Sequence, residues 1–217
     1  MLSLPEKIFI TGTDTDVGKT VISALLVLGL GAKYWKPIQS GTEEGTDVQK
    51  IQNMTGLDEE YFLPEVYKLK APLSPHLAAR LEGISIDLNR IVLPETQGPL
   101  IVEGAGGVMV PVNEEQFMLD LMQRLALPVL VVARSTLGTI NHTLLTIDKL
   151  RRARVEILGV VLNGPQNIEN KKAIEKYGKV NVLAEVEPLP ELTPQGVQEA
   201  FRRCFGGKGE NALSTPS

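Results

Sequence analysis

Apolar positions fall along this chain in two alternating patterns. Ile8–Ile10, Leu100–Val102, Val129–Ala133 and Ile157–Leu162 are continuous apolar runs bounded by glycine, proline or polar residues. Such runs fit strands buried on both faces. Between them, apolar residues return at helical spacing. Helices are expected over 19–30, with Gly29 and Gly31 as C-cap signals, and over 47–54, with Thr46 as N-cap. Ser74-Pro75 opens another that ends at Gly83, and 84–95 should give one more short helix. Further helices are expected at 117–125, about 140–153, near 168–177 and near 195–205. Lys33–Lys36 reads as a short strand closed by Pro37, and 180–183 as another. IQSGTEEGT, from Ile38, reads as a loop, and 56–75 as an excursion from the core. Strands alternating with helices predict an α/β fold: a doubly wound, mainly parallel sheet with helices on both faces. A single domain over 1–205 is expected, with 206–217 a disordered tail.

In such sheets ligands bind beyond the carboxyl ends of the strands. Asp14–Thr20, Lys36–Ser40, Glu103–Gly107, Arg134–Asn141 and Asn163-Gly164 all fall on that rim. The first is the most telling. After the Ile8–Ile10 strand comes GTDTDVGKT, and Lys19-Thr20 open an apolar helix. A helix N-terminus carries unpaired N–H groups and suits an anion. Lys19 supplies a cation for the β- and γ-phosphates of a nucleotide, and the Thr20 hydroxyl suits Mg²⁺. The usual spacing G-x-x-x-x-G-K-[ST] is exceeded by one, because Thr13 stands where the first glycine would be. The bland alternative is an ordinary strand–helix turn.

Composition narrows the classes. The 217 residues are 43% hydrophobic, enough for a sizeable core, and the net charge of −4 is mixed along the chain. No basic face suggests nucleic acid. The lone Cys204 excludes an intrachain disulfide and a cysteine-based zinc site. MLSLPEK lacks an apolar leader core and no run of about 18 apolar residues follows, so a cytoplasmic protein away from membranes is expected.

Glu103 ends an apolar strand by this reading. A lone carboxylate there needs a partner, either a hard cation or backbone N–H groups. Asp47 is a second candidate ligand, or simply a first-turn acid favoured by the helix dipole. Lys36 ends a strand on the rim, where a second cation would serve a phosphoryl group in flight; otherwise it is a solvated lysine. Ser40 is a substrate donor or a turn residue. Gly104-Ala105-Gly106-Gly107 permits close approach of a ligand or needs positive φ for a tight turn. Asn163 could read a base edge or merely form an Asn-Gly turn. Neither His76 nor His142 has triad or metal spacing.

Together GTDTDVGKT at 12–20, KPIQSG at 36–41, SPH at 74–76, VEGAGG at 102–107 and LGTINH at 137–142 resemble the dethiobiotin synthetase family, in the family's order over most of the chain. The resemblance implies a P-loop NTPase-like fold, a homodimer, and synthesis of dethiobiotin from 7,8-diaminopelargonate, CO₂ and ATP with Mg²⁺. It implies that Asp16, Val17, Gly18, Lys19, Thr20 and Val21 wrap the ATP phosphates, that Thr20, Asp47 and Glu103 hold Mg²⁺, and that Lys36 meets the transferred phosphoryl. Thr15 and Ser40 would contact the diamine or its carbamate, with Gly104, Ala105 and Gly106 beside ATP. Leu137, Gly138 and Asn141 would come from the neighbouring subunit to the substrate carboxylate. Asn163, Gly164, Glu187, Pro188 and Leu189 would hold adenine. Here the chain departs from the family, which often has Asp at the position of Gly164 and Glu-Ile-Pro in the late loop. A glutaminase-type synthetase would need a nucleophilic cysteine and a longer chain. A dimerising switch ATPase would carry a signature lysine where Asp14 stands.

Overall fold

The computed structural model describes residues 4–206. Nine strands form in chain order: β1 (Lys7–Gly12), β2 (Lys33–Trp35), β3 (Ile38–Ser40), β4 (Phe62–Leu63), β5 (Tyr67–Leu69), β6 (Leu100–Gly107), β7 (Val129–Arg134), β8 (Ile157–Asn163) and β9 (Val182–Val186). Seven of them make one sheet in the order β4-β2-β6-β1-β7-β8-β9, every pairing parallel. The helices are α1 (Lys19–Leu30), α2 (Asp47–Thr55), α3 (Pro75–Leu81), α4 (Met118–Leu125), α5 (Thr139–Arg152), α6 (Ile168–Gly178) and α7 (Pro194–Phe205).

The expected doubly wound parallel sheet is thus present, and its apolar strands bury both faces. Side chains alternate across a strand. Ile8, Ile10, Tyr34, Ile101, Leu130 and Val132 face one apolar layer, which Leu25, Ile51 and Val197 of α1, α2 and α7 complete. Phe9, Trp35, Val102 and Val131 face the other, with residues of α3 to α6 such as Met122 and Ile147. Glu103 lies two residues beyond Ile101, so it continues the face that α1 covers.

Four local expectations are corrected. Gly29 lies inside α1, where a side chain would collide with the Phe201 ring, and Gly31 alone (φ 62°) caps the helix by donating its N–H to Val27. The segment after Pro37 is no plain loop, because β3 pairs with β5 in a second, two-stranded parallel sheet. Residues 56–75 are no excursion either: β4 extends the main sheet, and Tyr67 and Leu69 are buried. Residues 84–95 hold only one 3₁₀ turn, Leu88–Arg90. The expected tail lies outside the described residues except for Gly206, which follows α7.

The start of α2 is fixed by a capping box. Thr46 Oγ1 accepts from Gln49 N at 3.1 Å, and Gln49 Oε1 accepts from Thr46 N at 2.8 Å. Thr46→Ala should lower unfolding stability by about 1 kcal/mol, read from the urea midpoint. It should also loosen Asp47, the first residue of the helix.

Candidate active site

The carboxyl ends of β1, β2, β3 and β6 open into a cavity of about 790 Å³. The loop after β1 forms one wall. Asp16 (φ 56°) and Gly18 (φ 96°) both adopt left-handed backbone, which turns successive N–H groups into one concavity. A Cβ on Gly18 would run into the Asn163 carboxamide, so glycine is needed there twice over. α1 begins with no side-chain cap and no acid in its first turn. Its leading N–H groups are therefore left for an anion. Lys19 is buried and folds back to donate to the Asp14 carbonyl at 3.1 Å. Burial, with the nearby Lys36 charge, holds its ammonium below the ordinary lysine range despite Glu103 and Asp47.

A buried ionic cluster forms the floor. The Lys36 ammonium lies 2.7 Å from Asp47 Oδ2 and 3.1 Å from Glu103 Oε1, and it also donates to the Gly104 carbonyl at 3.3 Å. Glu103 is 1% exposed. Its Oε1 also accepts from Thr20 Oγ1 at 3.2 Å, while Oε2 accepts from Ser23 Oγ at 2.6 Å and from the Tyr34 hydroxyl at 3.1 Å. Burial opposes the Lys36 charge, but the two carboxylates outweigh it and raise its pKa. Burial likewise opposes the Asp47 charge, and Lys36 with Lys50 more than compensates, lowering that pKa. Burial and then Glu103 hold the Tyr34 phenol well above its usual range, so it stays a donor.

Glu103 does not end its strand. β6 runs on through Gly107, which pairs with Gly12. The partners of Glu103 are side chains of α1, of β2 and of Lys36 just after β2, rather than backbone N–H groups. Gly104 leaves room for the Phe9 ring inside the core, not for a ligand, and at Gly106 (φ 67°), where the register of β6 shifts, a Cβ would run into Val110.

Thr15, Asp16, Gly18, Lys19, Thr20, Lys36, Ser40, Asp47, Glu103, Ala105 and Gly106 all line the cavity. Val17 is buried beneath the loop, and Val21 packs towards the apolar layer under α1. Asn163 stands on the far side of the loop and ties it down, donating from Nδ2 to Val17 O at 3.0 Å. Gly164 packs on Ser135. Leu189 lines a separate groove beside α7 with Thr193 and Arg203, and Glu187 and Pro188 precede it. Leu137 is fully exposed at the tip between β7 and α5, and neither it nor Gly138 or Asn141 lines the cavity.

Several contributors were not singled out in the sequence. Ser23 and Tyr34 hold Glu103. Gln39 is buried and accepts from Asp47 N at 3.0 Å, which seats α2 against β3. Arg134 pairs with Asp14 at 2.9 Å beside the loop. Spacing carried some signal: Ser23 falls one turn after Thr20, and Tyr34 shares a strand face with Lys36.

Residues 6–196 match the AAA domain family. An ATP-dependent dethiobiotin synthetase of Paramagnetospirillum magneticum is 56% identical over 186 residues, 86% of this chain and 90% of that protein. The chain belongs to the ATP-dependent dethiobiotin synthetase family. A second dethiobiotin synthetase, from Rhodopseudomonas palustris, is 45% identical over 202 residues, 93% of this chain and 95% of its own length. Among solved structures, a ParA family ATPase from Chlorobium tepidum shares the fold alone. Its TM-score is 0.56 at 11% identity, over 93% of this chain and 91% of that one. In this chain two buried lysines, two carboxylates and the Thr20 hydroxyl meet in one cavity. No described helix is long and apolar enough to cross a membrane.

Proposed function

We propose that this chain performs its family's reaction, the ATP-dependent closure of 7,8-diaminopelargonate and CO₂ to dethiobiotin, in the cavity between the β1 loop and α2. One amine of the diamine takes up CO₂ as a carbamate. A carbamate oxygen attacks the γ-phosphorus and ADP leaves, giving a carbamic–phosphoric anhydride. The second amine attacks the carbamoyl carbon, phosphate departs and the five-membered ring closes. Both nucleophiles belong to the substrate, so the protein supplies position and charge rather than a reactive side chain.

The observation that carries this reading is the convergence of Lys19, Lys36, Thr20, Asp47 and Glu103 on one cavity. The loop from Asp16 to Val21 receives the phosphates, with Lys19 at the β- and γ-groups. Asp47, Glu103 and Thr20 suit Mg²⁺: the two carboxylates already hold a cation, the Lys36 ammonium, the Thr20 hydroxyl is bonded to Glu103 Oε1 beside them, and oxygen is what this metal prefers. Bound there, the metal would neutralise charge on the triphosphate. Lys36 faces the group in transfer. Ser40 and Thr15 contact the diamine: both line the cavity, and the buried Ser40 hydroxyl finds no partner among the described residues. Such an orphaned hydroxyl is costly until something binds it. Of Gly104–Gly106, Ala105 and Gly106 line the cavity and are placed beside ATP and the carbamate.

The working unit is the α/β domain of 1–205, acting in the cytoplasm as a homodimer without nucleic acid or membrane. Full exposure of Leu137, with Leu145 exposed on the α5 helix that follows it, supports Leu137–Asn141 reaching the partner's substrate carboxylate. Asn163, Gly164 and Glu187–Leu189 are assigned to adenine.

The test is coupling. ATP hydrolysis should depend on the diamine and bicarbonate together, falling at least about 100-fold when either is omitted. Equal hydrolysis with neither present would favour a switch ATPase instead.

A further inference from the structure

Two residues outside the machinery described above also hold the carboxylate in the cavity floor. Glu103 has two oxygens, and the structure divides them. Oε1 faces Lys36 and Thr20, the groups on the cavity side. Oε2 faces inward and accepts from Ser23 at 2.6 Å and Tyr34 at 3.1 Å. Ser23 and Tyr34 are both completely buried, one on α1 and the other on β2. Neither hydroxyl is placed to touch a ligand, since neither lines the cavity.

We propose that Tyr34, with Ser23, is a positioning residue for Glu103, locking its carboxylate so that Oε1 alone is offered to the cation. This rests on the reading of Glu103 as a cation ligand. A carboxylate oxygen has about two lone-pair sites, and two donors on Oε2 use them. The donors come from different elements on different sides, so the carboxylate cannot turn about its last torsion without breaking both bonds. A ligand whose outer partners are fixed binds metal in one orientation, and removing such a partner weakens metal affinity about 10-fold to 100-fold. Tyr34 suits the task because its ring is independently seated, edge-on to Phe62 with centroids 6.3 Å apart. Loss of the hydroxyl therefore leaves the ring in place.

The experiment is a titration of the folded protein with Mn²⁺ in the presence of ADP, followed by electron paramagnetic resonance, with no turnover involved. Tyr34→Phe is expected to weaken Mn²⁺ binding about tenfold, while in a separate steady-state assay the KM for the diamine stays within about twofold. Combined with Glu103→Gln, it should weaken binding no further than Glu103→Gln alone, because the hydroxyl acts only through that carboxylate. Ser23→Ala provides the same readout if Tyr34→Phe does not fold. Unchanged Mn²⁺ affinity in the hydroxyl variant, with affinity lost in Glu103→Gln, would overturn the positioning role and leave the cation assignment standing. Unchanged affinity in Glu103→Gln would overturn the cation assignment, and this inference with it.

Discussion

Lys19→Ala is expected to reduce dethiobiotin formation about 10³-fold, mostly in kcat. The ammonium lies at the Asp14 carbonyl, beside Gly12, and in the proposed reaction negative charge builds on the β,γ-bridging oxygen close to it as the phosphoryl group leaves. A contact that strengthens only as that charge develops acts on kcat more than on KM. Stability should not fall. Lys19 is 7% exposed, its pKa is held down first by burial, and its hydrogen bond is to a carbonyl rather than a carboxylate. Its solvation is thus poorly replaced until phosphate arrives, and alanine relieves that loss. Steady-state kinetics beside thermal melts would check both halves. Wild-type-like turnover would reject the assignment of the loop to phosphate.

How far the sequence foretold this site depends on what kind of signal each residue carries. Val129–Ala133 and Ile157–Leu162 are apolar runs of five and six residues between proline and polar residues, and doubly covered strands suit them. β3 and β5 are three residues each, too short for any periodicity, and Pro37 and Gly41 beside them read as loop. Glu103 looked like a strand end because a charge interrupts an apolar run. In the folded protein the strand continues, since Ser23, Tyr34 and Lys36 satisfy that charge from neighbouring elements. Those partners lie 67 to 80 residues away in the chain, and no local pattern links them. Gly104 taught the opposite lesson: the freedom expected to serve a ligand serves Phe9. Tyr34 and Ser23 sit in apolar segments where a hydroxyl is easily passed over as ordinary core. The Lys19-Thr20 pair was legible because its chemistry is local, a strand, a loop and a helix start within a dozen residues.

Lys36→Met should have the largest combined effect, about 10³-fold on turnover and about 3–5 kcal/mol on stability at neutral pH. Methionine keeps the length and removes the charge. The Asp47 and Glu103 carboxylates, bridged by Lys36 at 2.7 and 3.1 Å, then face each other across a buried space with no cation between them. The dependence on pH identifies the cause. In the wild type, Lys36 is raised above its ordinary 10.5 and Asp47 lowered below its ordinary 3.8. The contribution of Lys36 is complete below 10.5 and fades as pH rises through its higher folded value. That of Asp47 is complete above 3.8 and fades as pH falls through its lower folded value. Wild-type stability from this pair is therefore flat between those limits. In the variant, Asp47 loses its main stabilising charge, and burial, already the largest single influence on it, pushes its pKa upward. A carboxyl raised in the folded state takes up a proton there before it does in the unfolded chain, so the variant regains stability as pH falls from 8 towards 5. Urea midpoints across that range should converge on the wild type from below. A deficit that stays constant with pH would mean that lost packing, not an uncompensated pair of carboxylates, weakens the protein. Added Mg²⁺ should narrow the gap at pH 8, because it restores positive charge to the same oxygens, while turnover stays low for want of the cation at the transferred phosphoryl group.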